Sequence, residues 1–387
     1  MAERDLLRTK KGHEADKVSF VELFFDLVFV FAVTQLSHAL IGHFSPLGGL
    51  QTLMLLLAVW WVWIFTAWVT NWLDPEKLPV RIAILVMMVL GLVLSASLPG
   101  AFAERGLVFA AAHVSLQVGR SLFFLWAVKG HPTQVLNFQR ILAWMSTAAV
   151  FWIIGGLAEP TARMGWWALA LGIEYISPSM GFATPGLGRA SAKEWDVSGH
   201  HLAERCGLFI IIALGESILV TGATFSGLAW SGPVIAAFAA SVIGSITMWW
   251  LYFDTASDFG TKVISSAENP GHLARLAYTY LHLFLVAAII LTAVGDEFVL
   301  AHPTGHSSLQ TAIAVLGSAA LYLLGSLVFK RAISGKAPFS HLTAIAVLGL
   351  LVPAASHLEP WVLTSLSTLV LCGVAAWERF AHCLREE

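Results

Sequence analysis

Apolar residues in this chain run together in long blocks, and the interruptions come from Gly, Pro and charge. Stretches such as Leu53 to Phe65 and Ile82 to Leu94 are apolar on every face. Neither the 3.6-residue stripe of a surface helix nor the two-residue alternation of a strand describes them. The blocks repeatedly approach the ~20 residues that a helix needs to cross a ~30 Å hydrocarbon layer. They predict spans near 19–41, 50–72, 80–98, 106–128, 138–157, 164–178, 202–225, 233–255, 274–295, 308–329, 341–357 and 361–380. The expected fold class is all-α: a polytopic integral membrane protein of about twelve transmembrane helices. The sixth segment is the least span-like, being short and carrying Glu174 just before Pro178.

Composition supports the bilayer as solvent. Charged residues make up 12% of the 387, against 57% hydrophobic, too few to solvate the surface of a soluble fold of this size. A net charge of −2 gives no footprint for nucleic acid, so the lipid bilayer is the expected partner, with a homo-oligomer left open. Cys206, Cys372 and Cys383 show no metal spacing and read as ordinary small residues. Residues Met1 to Lys17 are polar and basic without the apolar core of a cleavable signal, so the first helix is expected to direct insertion.

The positions of Lys and Arg change the picture further. Of the 22, nineteen fall before the first span or on alternate loops and helix ends, Arg105 and Arg163 fall on the opposite loops, and Arg120 lies within a span. Positive charge accumulates on the cytoplasmic side, which places both termini there. A duplication is also suggested. Trp60-Trp61-x-Trp63-x-x-Thr66 is echoed by Trp249-Trp250-x-Tyr252-x-x-Thr255, Arg81-Ile82-Ala83 by Arg275-Leu276-Ala277, and Glu22 by Glu204. The expected organisation is a first six-helix repeat over 1–178 with its basic N-terminus, a Gly- and Pro-rich cytoplasmic linker over 179–199, and a second parallel repeat over 200–387.

Charges inside spans carry the functional signal, because each is costly in hydrocarbon unless paired or hydrated. Glu22 and Asp26 stand four apart on one face of the first span, and Thr34, Ser37 and His38 continue broadly along it. His113, Gln117 and Arg120 make a second polar stripe on the fourth span. Arg120 is expected to face the two carboxylates. The seventh span opens with Glu204-Arg205 and later carries Glu216, a candidate proton- or cation-binding carboxylate. Arg205 and Glu216 share a face but lie three turns apart, so each needs a partner from elsewhere. These residues can be read as clamps between helices or as parts of a solute or ion path. Glu174 and Asp254 read as interfacial, His200-His201 as a cap or interfacial pair, and His282 as a packing residue with a proton relay as the alternative. No third ligand joins the paired histidines, so no metal is expected. Phosphate-binding Gly loops, His-Glu-x-x-His and Gly-x-Ser-x-Gly are absent, so no cofactor and no enzymatic activity are expected.

The run Val21-Glu22-Leu23-Phe24-Phe25-Asp26-Leu27-Val28-Phe29-Val30-Phe31-Ala32-Val33-Thr34-Gln35-Leu36-Ser37-His38 resembles the bacterial low-temperature-requirement protein A family. So does His201-Leu202-Ala203-Glu204-Arg205-Cys206-Gly207-Leu208-Phe209, continuing to Leu214-Gly215-Glu216-Ser217. The resemblance implies a multi-pass protein of the bacterial plasma membrane linked to growth in the cold, and supplies no substrate. Phe24-Phe25-Asp26 is also similar to the first-helix Arg-x-x-x-Phe-Ser-Asp motif of a potassium-channel family built on six-helix units. There this chain departs from the pattern, with Phe20 in place of the Arg and Phe25 in place of the Ser. The expected function is transport of a small solute or ion, with proton coupling as one form of it. A potassium-channel-like cation pore and a non-transporting scaffold or sensor are the alternatives.

Overall fold

A computed structural model describes residues 5–8, 17–190, 198–254, 273 and 275–386, with side chains as far as 381. Among them are twelve α-helices: α1 Phe20–Gly42, α2 Pro46–Trp72, α3 Leu78–Ser97, α4 Gly106–Ala127, α5 Pro132–Leu157, α6 Pro160–Ile176, α7 Gly199–Ser226, α8 Gly232–Tyr252, α9 His282–Ala301, α10 Leu309–Ser334, α11 Phe339–Leu351 and α12 Pro360–Glu386. A π-helical stretch, Arg275–Leu281, leads into α9. Ten of the helical segments are long and apolar enough to cross a membrane. The other two are α6, at 17 residues, and α11, at 13. At 1.5 Å per residue α11 reaches only ~20 Å, short of a full hydrocarbon layer. The expectation of about twelve spans therefore holds for the helices, while ten meet the length of a span.

Local chemistry explains the helix starts. Pro stands in the first turn of α2, α3, α5, α6 and α8, where a missing N–H costs nothing. Ser45 accepts from the Gly48 N–H ahead of α2, and Ser308 from the Thr311 N–H ahead of α10. Gly335, with φ 70°, ends α10 in the left-handed conformation that Gly adopts without strain.

The chain forms two units by contact. The first comprises residues up to Ala39, then Ser45–Arg205, and the second comprises Leu40–Phe44, Cys206 onward and the helices to the C-terminus. In the first, α2 is the central helix, with Trp60, Trp61 and Trp63 buried to within 1% of full exclusion. It packs against α4 and α6, while α4 lies between α3 and α5. Small residues set the closest approach: a Cβ on Gly156 would stand 3.0 Å from the Ala110 Cβ and 3.1 Å from the Leu107 Cα. In the second unit α9 packs on α10, and α12 on α8. Gly295 and Gly325 allow α9 and α10 to touch in the same way. Trp249 and Trp250, the suggested echoes of Trp60 and Trp61, are more than 40% exposed. Thr255 and the linker residues Lys193, Glu194 and Asp196 lie outside the described residues.

The segment after α6 is not a loose connection. Phe182 is fully buried against Phe65, and Arg140 and Trp144 of α5 donate to the carbonyls of Leu187 and Ala183. An apolar anchor and two side-chain donors thus hold residues 182–187 against the first unit.

Candidate functional site

The first turn of α1 builds the site. Ser19 and Glu22 satisfy each other reciprocally: Ser19 N–H and Oγ donate to Glu22 Oε2 at 2.9 Å, and the Glu22 N–H points to Ser19 Oγ at 3.4 Å. This capping box orients Glu22 inward, and Asp26 follows one turn later on the same face. Both are completely excluded from solvent.

Their cation is Arg205, from the second turn of α7. Its Nη1 donates to Glu22 Oε1 at 2.9 Å and to Thr70 Oγ1 at 3.2 Å, and its Nη2 donates to Asp26 Oδ1 at 2.6 Å. Trp63 of α2 donates to the same Asp26 oxygen at 2.8 Å, and its ring lies 5.7 Å from the Arg205 guanidinium carbon. Arg8 closes the other side of Glu22 by donating to Oε2 at 3.0 Å, and its Nε reaches the Thr70 carbonyl at 2.8 Å. Residues 6 and 8 pair by backbone with Asp74 and Trp72, which holds Arg8 there.

His201 completes the cluster, with Asn71 on one ring nitrogen and Glu22 and Arg8 on the other. Asn71 accepts from the Ser198 N–H at 2.9 Å and donates to the Ser198 carbonyl at 2.8 Å, which fixes its amide. The Asn71 Nδ2 that faces His201 Nδ1 at 3.4 Å is therefore a donor. His201 Nε2 stands 3.1 Å from Glu22 Oε1 and 3.0 Å from Arg8 Nη2, so the imidazole bridges the acid and its second cation. Glu22 thus has both oxygens occupied. Asp26 does not: Oδ2 is buried with no hydrogen-bond partner, and so is Arg205 Nε.

Arg120 is not the partner expected from the sequence. Fully buried on α4, it donates to the Val62 carbonyl at 3.1 Å, to Thr66 Oγ1 at 3.3 Å and to Gln117 Oε1, all neutral acceptors. Asp26 is served by Arg205 because α7 enters beside α1, a pairing across 179 residues of sequence. His113 and Glu174 form a second buried pair at 3.0 Å, and Trp152 donates to the same Glu174 oxygen at 3.1 Å. Glu174 is 1% exposed, so its interfacial reading is corrected: two ring N–H donors hold it inside. Replacing Glu174 with Leu should orphan both donors and lower stability by about 1–3 kcal/mol, read as a fall in thermal midpoint in detergent.

The remaining candidates lie apart. His38 is exposed, because twelve residues at about 100° each carry it roughly 120° round the helix from Asp26. Glu204 is half-buried and accepts from the Val18 N–H at 3.3 Å. Glu216 is 4% exposed and belongs to the second unit. His282 is a satisfied packing residue: Nδ1–H donates to the Ala277 carbonyl at 2.9 Å and Nε2 accepts from the Tyr252 hydroxyl at 2.7 Å.

Sequence reasoning missed three members of this landscape. His201 was read as a cap, and Arg8 as part of a basic tail. Asp296 was placed beyond the end of its span, although Phe298-Val299-Leu300-Ala301 resumes the apolar run after it. It is 4% exposed inside α9. Among the described residues no cluster of three or more His, Cys, Asp or Glu could hold a metal ion.

The bacterial low temperature requirement A protein family matches this chain over residues 17–376. An uncharacterized protein of Rhizobium meliloti (strain 1021) is 40% identical over 375 residues, which cover 96% of this chain and 91% of the relative. No solved structure matches the chain. With nearly the whole sequence accounted for by the match, the chain belongs to the bacterial low temperature requirement A family of multi-pass membrane proteins.

Proposed function

We propose that this protein transports a small solute or ion across the bacterial plasma membrane, and that Asp26 is the residue its cargo or coupling ion meets. One observation carries the reading: Asp26 Oδ2 is completely buried without a partner, beside a fixed guanidinium. Buried carboxylates usually fill both oxygens, and an open one suits a proton or ion that comes and goes. The reading involves no catalytic residue and no enzymatic step. The competing reading, a non-transporting scaffold clamped by its charges, is favoured by Glu22, whose two oxygens are both taken.

The experiment is flux in liposomes containing the purified protein, with sodium and rubidium tracers and an internal pH dye. A carrier gives saturable uptake and exchange. A potassium-channel-like pore gives rubidium current proportional to driving force, and a scaffold gives none of these. Asp26→Asn keeps an acceptor for Trp63 and leaves Arg205 paired with Glu22, so it should fold and lose flux by at least about tenfold. Undiminished flux in Asp26→Asn would reject the role of this residue.

Both termini are placed in the cytoplasm, with two parallel six-helix repeats joined through 179–199. The Lys and Arg asymmetry supports this orientation. The two arginines on the sparse side have local tasks, since Arg105 donates to the Ala96 carbonyl and Arg163 to four others. In a background without the native cysteines, a Cys replacing exposed His43 or His306 should react with an impermeant reagent from outside, and one replacing Lys77 should not. Reversed labelling would overturn the orientation.

A further inference from the structure

The second unit holds a buried acid whose surroundings differ in kind from those of Asp26. Asp296 lines a small cavity with Ser241, Thr292, Ser318, Ser367 and Thr368. Its Oδ2 faces the Ser217 hydroxyl at 3.4 Å and the Thr221 hydroxyl at 3.2 Å, the latter sharing its one proton with the Ser217 carbonyl at 2.8 Å, and Oδ1 is left for the cavity. Among the described residues no Lys, Arg or His pairs with it. Where Asp26 has a fixed Arg, Asp296 has hydroxyl groups and space.

The hydroxyls decide which chemistry fits. Thr292 donates its proton to the Ala288 carbonyl at 3.0 Å, Ser318 to the Val315 carbonyl at 3.1 Å and Thr368 to the Ala240 carbonyl at 3.0 Å. Ser367 points weakly to the Val315 carbonyl at 3.5 Å. With their protons committed to backbone, these oxygens keep lone pairs for the cavity. An anion would meet a carboxylate and these acceptors, with only the Ser241 hydroxyl left to donate, whereas a cation would meet oxygen ligands around one carboxylate. Ser241, 3% exposed, faces Asp296 without completing a hydrogen bond of good geometry. A buried hydroxyl left so, aimed into a polar cavity, keeps its oxygen available to a ligand there.

Size and charge narrow the class. The cavity leaves about 20 Å³ for the centres of water-sized spheres, room for one water or one bare ion. A divalent ion would ask for more carboxylates than the single one present. We propose that Asp296, Ser241 and the neighbouring hydroxyls of α9, α10 and α12 form a binding site for a small monovalent cation, with Na⁺ as its fitting occupant. Binding at this site does not require the transport reading to hold, because it can be measured without a membrane gradient.

The test uses the purified full chain in detergent, with Na⁺ exchanged for choline at constant chloride. The thermal midpoint should rise saturably by a few degrees with Na⁺. Asp296→Asn should abolish that rise. Ser241→Ala removes only the ill-bonded hydroxyl, so it should fold as the native chain does and raise the Na⁺ concentration for half-effect roughly tenfold. No difference between Na⁺ and choline would overturn the site, and so would a rise that persists in Asp296→Asn. If Asp296→Asn does not fold, an unchanged Na⁺ half-effect in Ser241→Ala would overturn it.

Discussion

Replacing Arg205 with Met should lower the stability of the protein by about 3–5 kcal/mol, the cost of leaving buried charges without their partner. Glu22 would keep Arg8, His201 and Ser19, while Asp26 would keep only Trp63. The damage should therefore centre on Asp26. Adding Asp26→Asn to the Arg205→Met chain should recover a large part of the loss, a non-additivity that a double-mutant cycle of detergent melts or denaturant titrations would measure. Arg120→Met should behave differently. Its hydrogen-bond acceptors are neutral and the acid that acts on it through charge is Glu174 and not Asp26, so its cycle with Asp26→Asn should be additive. Strong coupling of Asp26 to Arg120, with none to Arg205, would contradict the geometry.

The second large effect should fall on Arg163, a residue with no acid in its hydrogen-bond set. From the first turn of α6 it donates to the Gly155 carbonyl at 3.1 Å and the Ala158 carbonyl at 3.1 Å, where α5 ends. It also donates to the Ala101 and Ala103 carbonyls at 2.8 and 2.6 Å. One cation thus closes the C-terminus of α5, where the helix dipole favours positive charge, and ties it to the turn after α3. Arg163→Met should cost about 2–3 kcal/mol. Gly106→Ala should reproduce part of that loss without removing a charge, because a Cβ there would stand 2.3 Å from the guanidinium carbon. Thermal midpoints of the two variants check both expectations, and an unperturbed Gly106→Ala would show that the arginine has room to move.

How far the fold could be read in advance followed from the range of the forces involved. Helix existence depends on local apolar runs and on Pro and Gly punctuation, so α1, α3 and α4 emerge within two residues of their expected limits. Whether a helix is long enough to span is harder to judge, because α6 and α11 end on turn geometry and not on a change of hydropathy. The common face of Glu22 and Asp26 was legible from a spacing of four. Their partner was not, since Arg120 and Arg205 both lie in apolar segments and only the packing of α7 selects between them. His201 was hidden by adjacency to exposed His200, and Arg8 by a basic tail in which nothing distinguishes it. Asp296 was hidden by a boundary drawn at 295, six residues before the helix ends at Ala301.

The contrast between Glu22 and Asp26 on one helix offers the most direct test of the functional reading. A hydrophobic carbodiimide added to the native protein in membranes reacts with buried carboxyl groups that take up a proton, and peptide mass spectrometry locates the adduct. The expected result is modification of Asp26, whose Oδ2 has no protein partner, with Glu22 spared because both of its oxygens are held. An unmodified Asp26, or equal modification of the two acids, would mean that Asp26 is clamped as tightly as its neighbour and would contradict its role in transport.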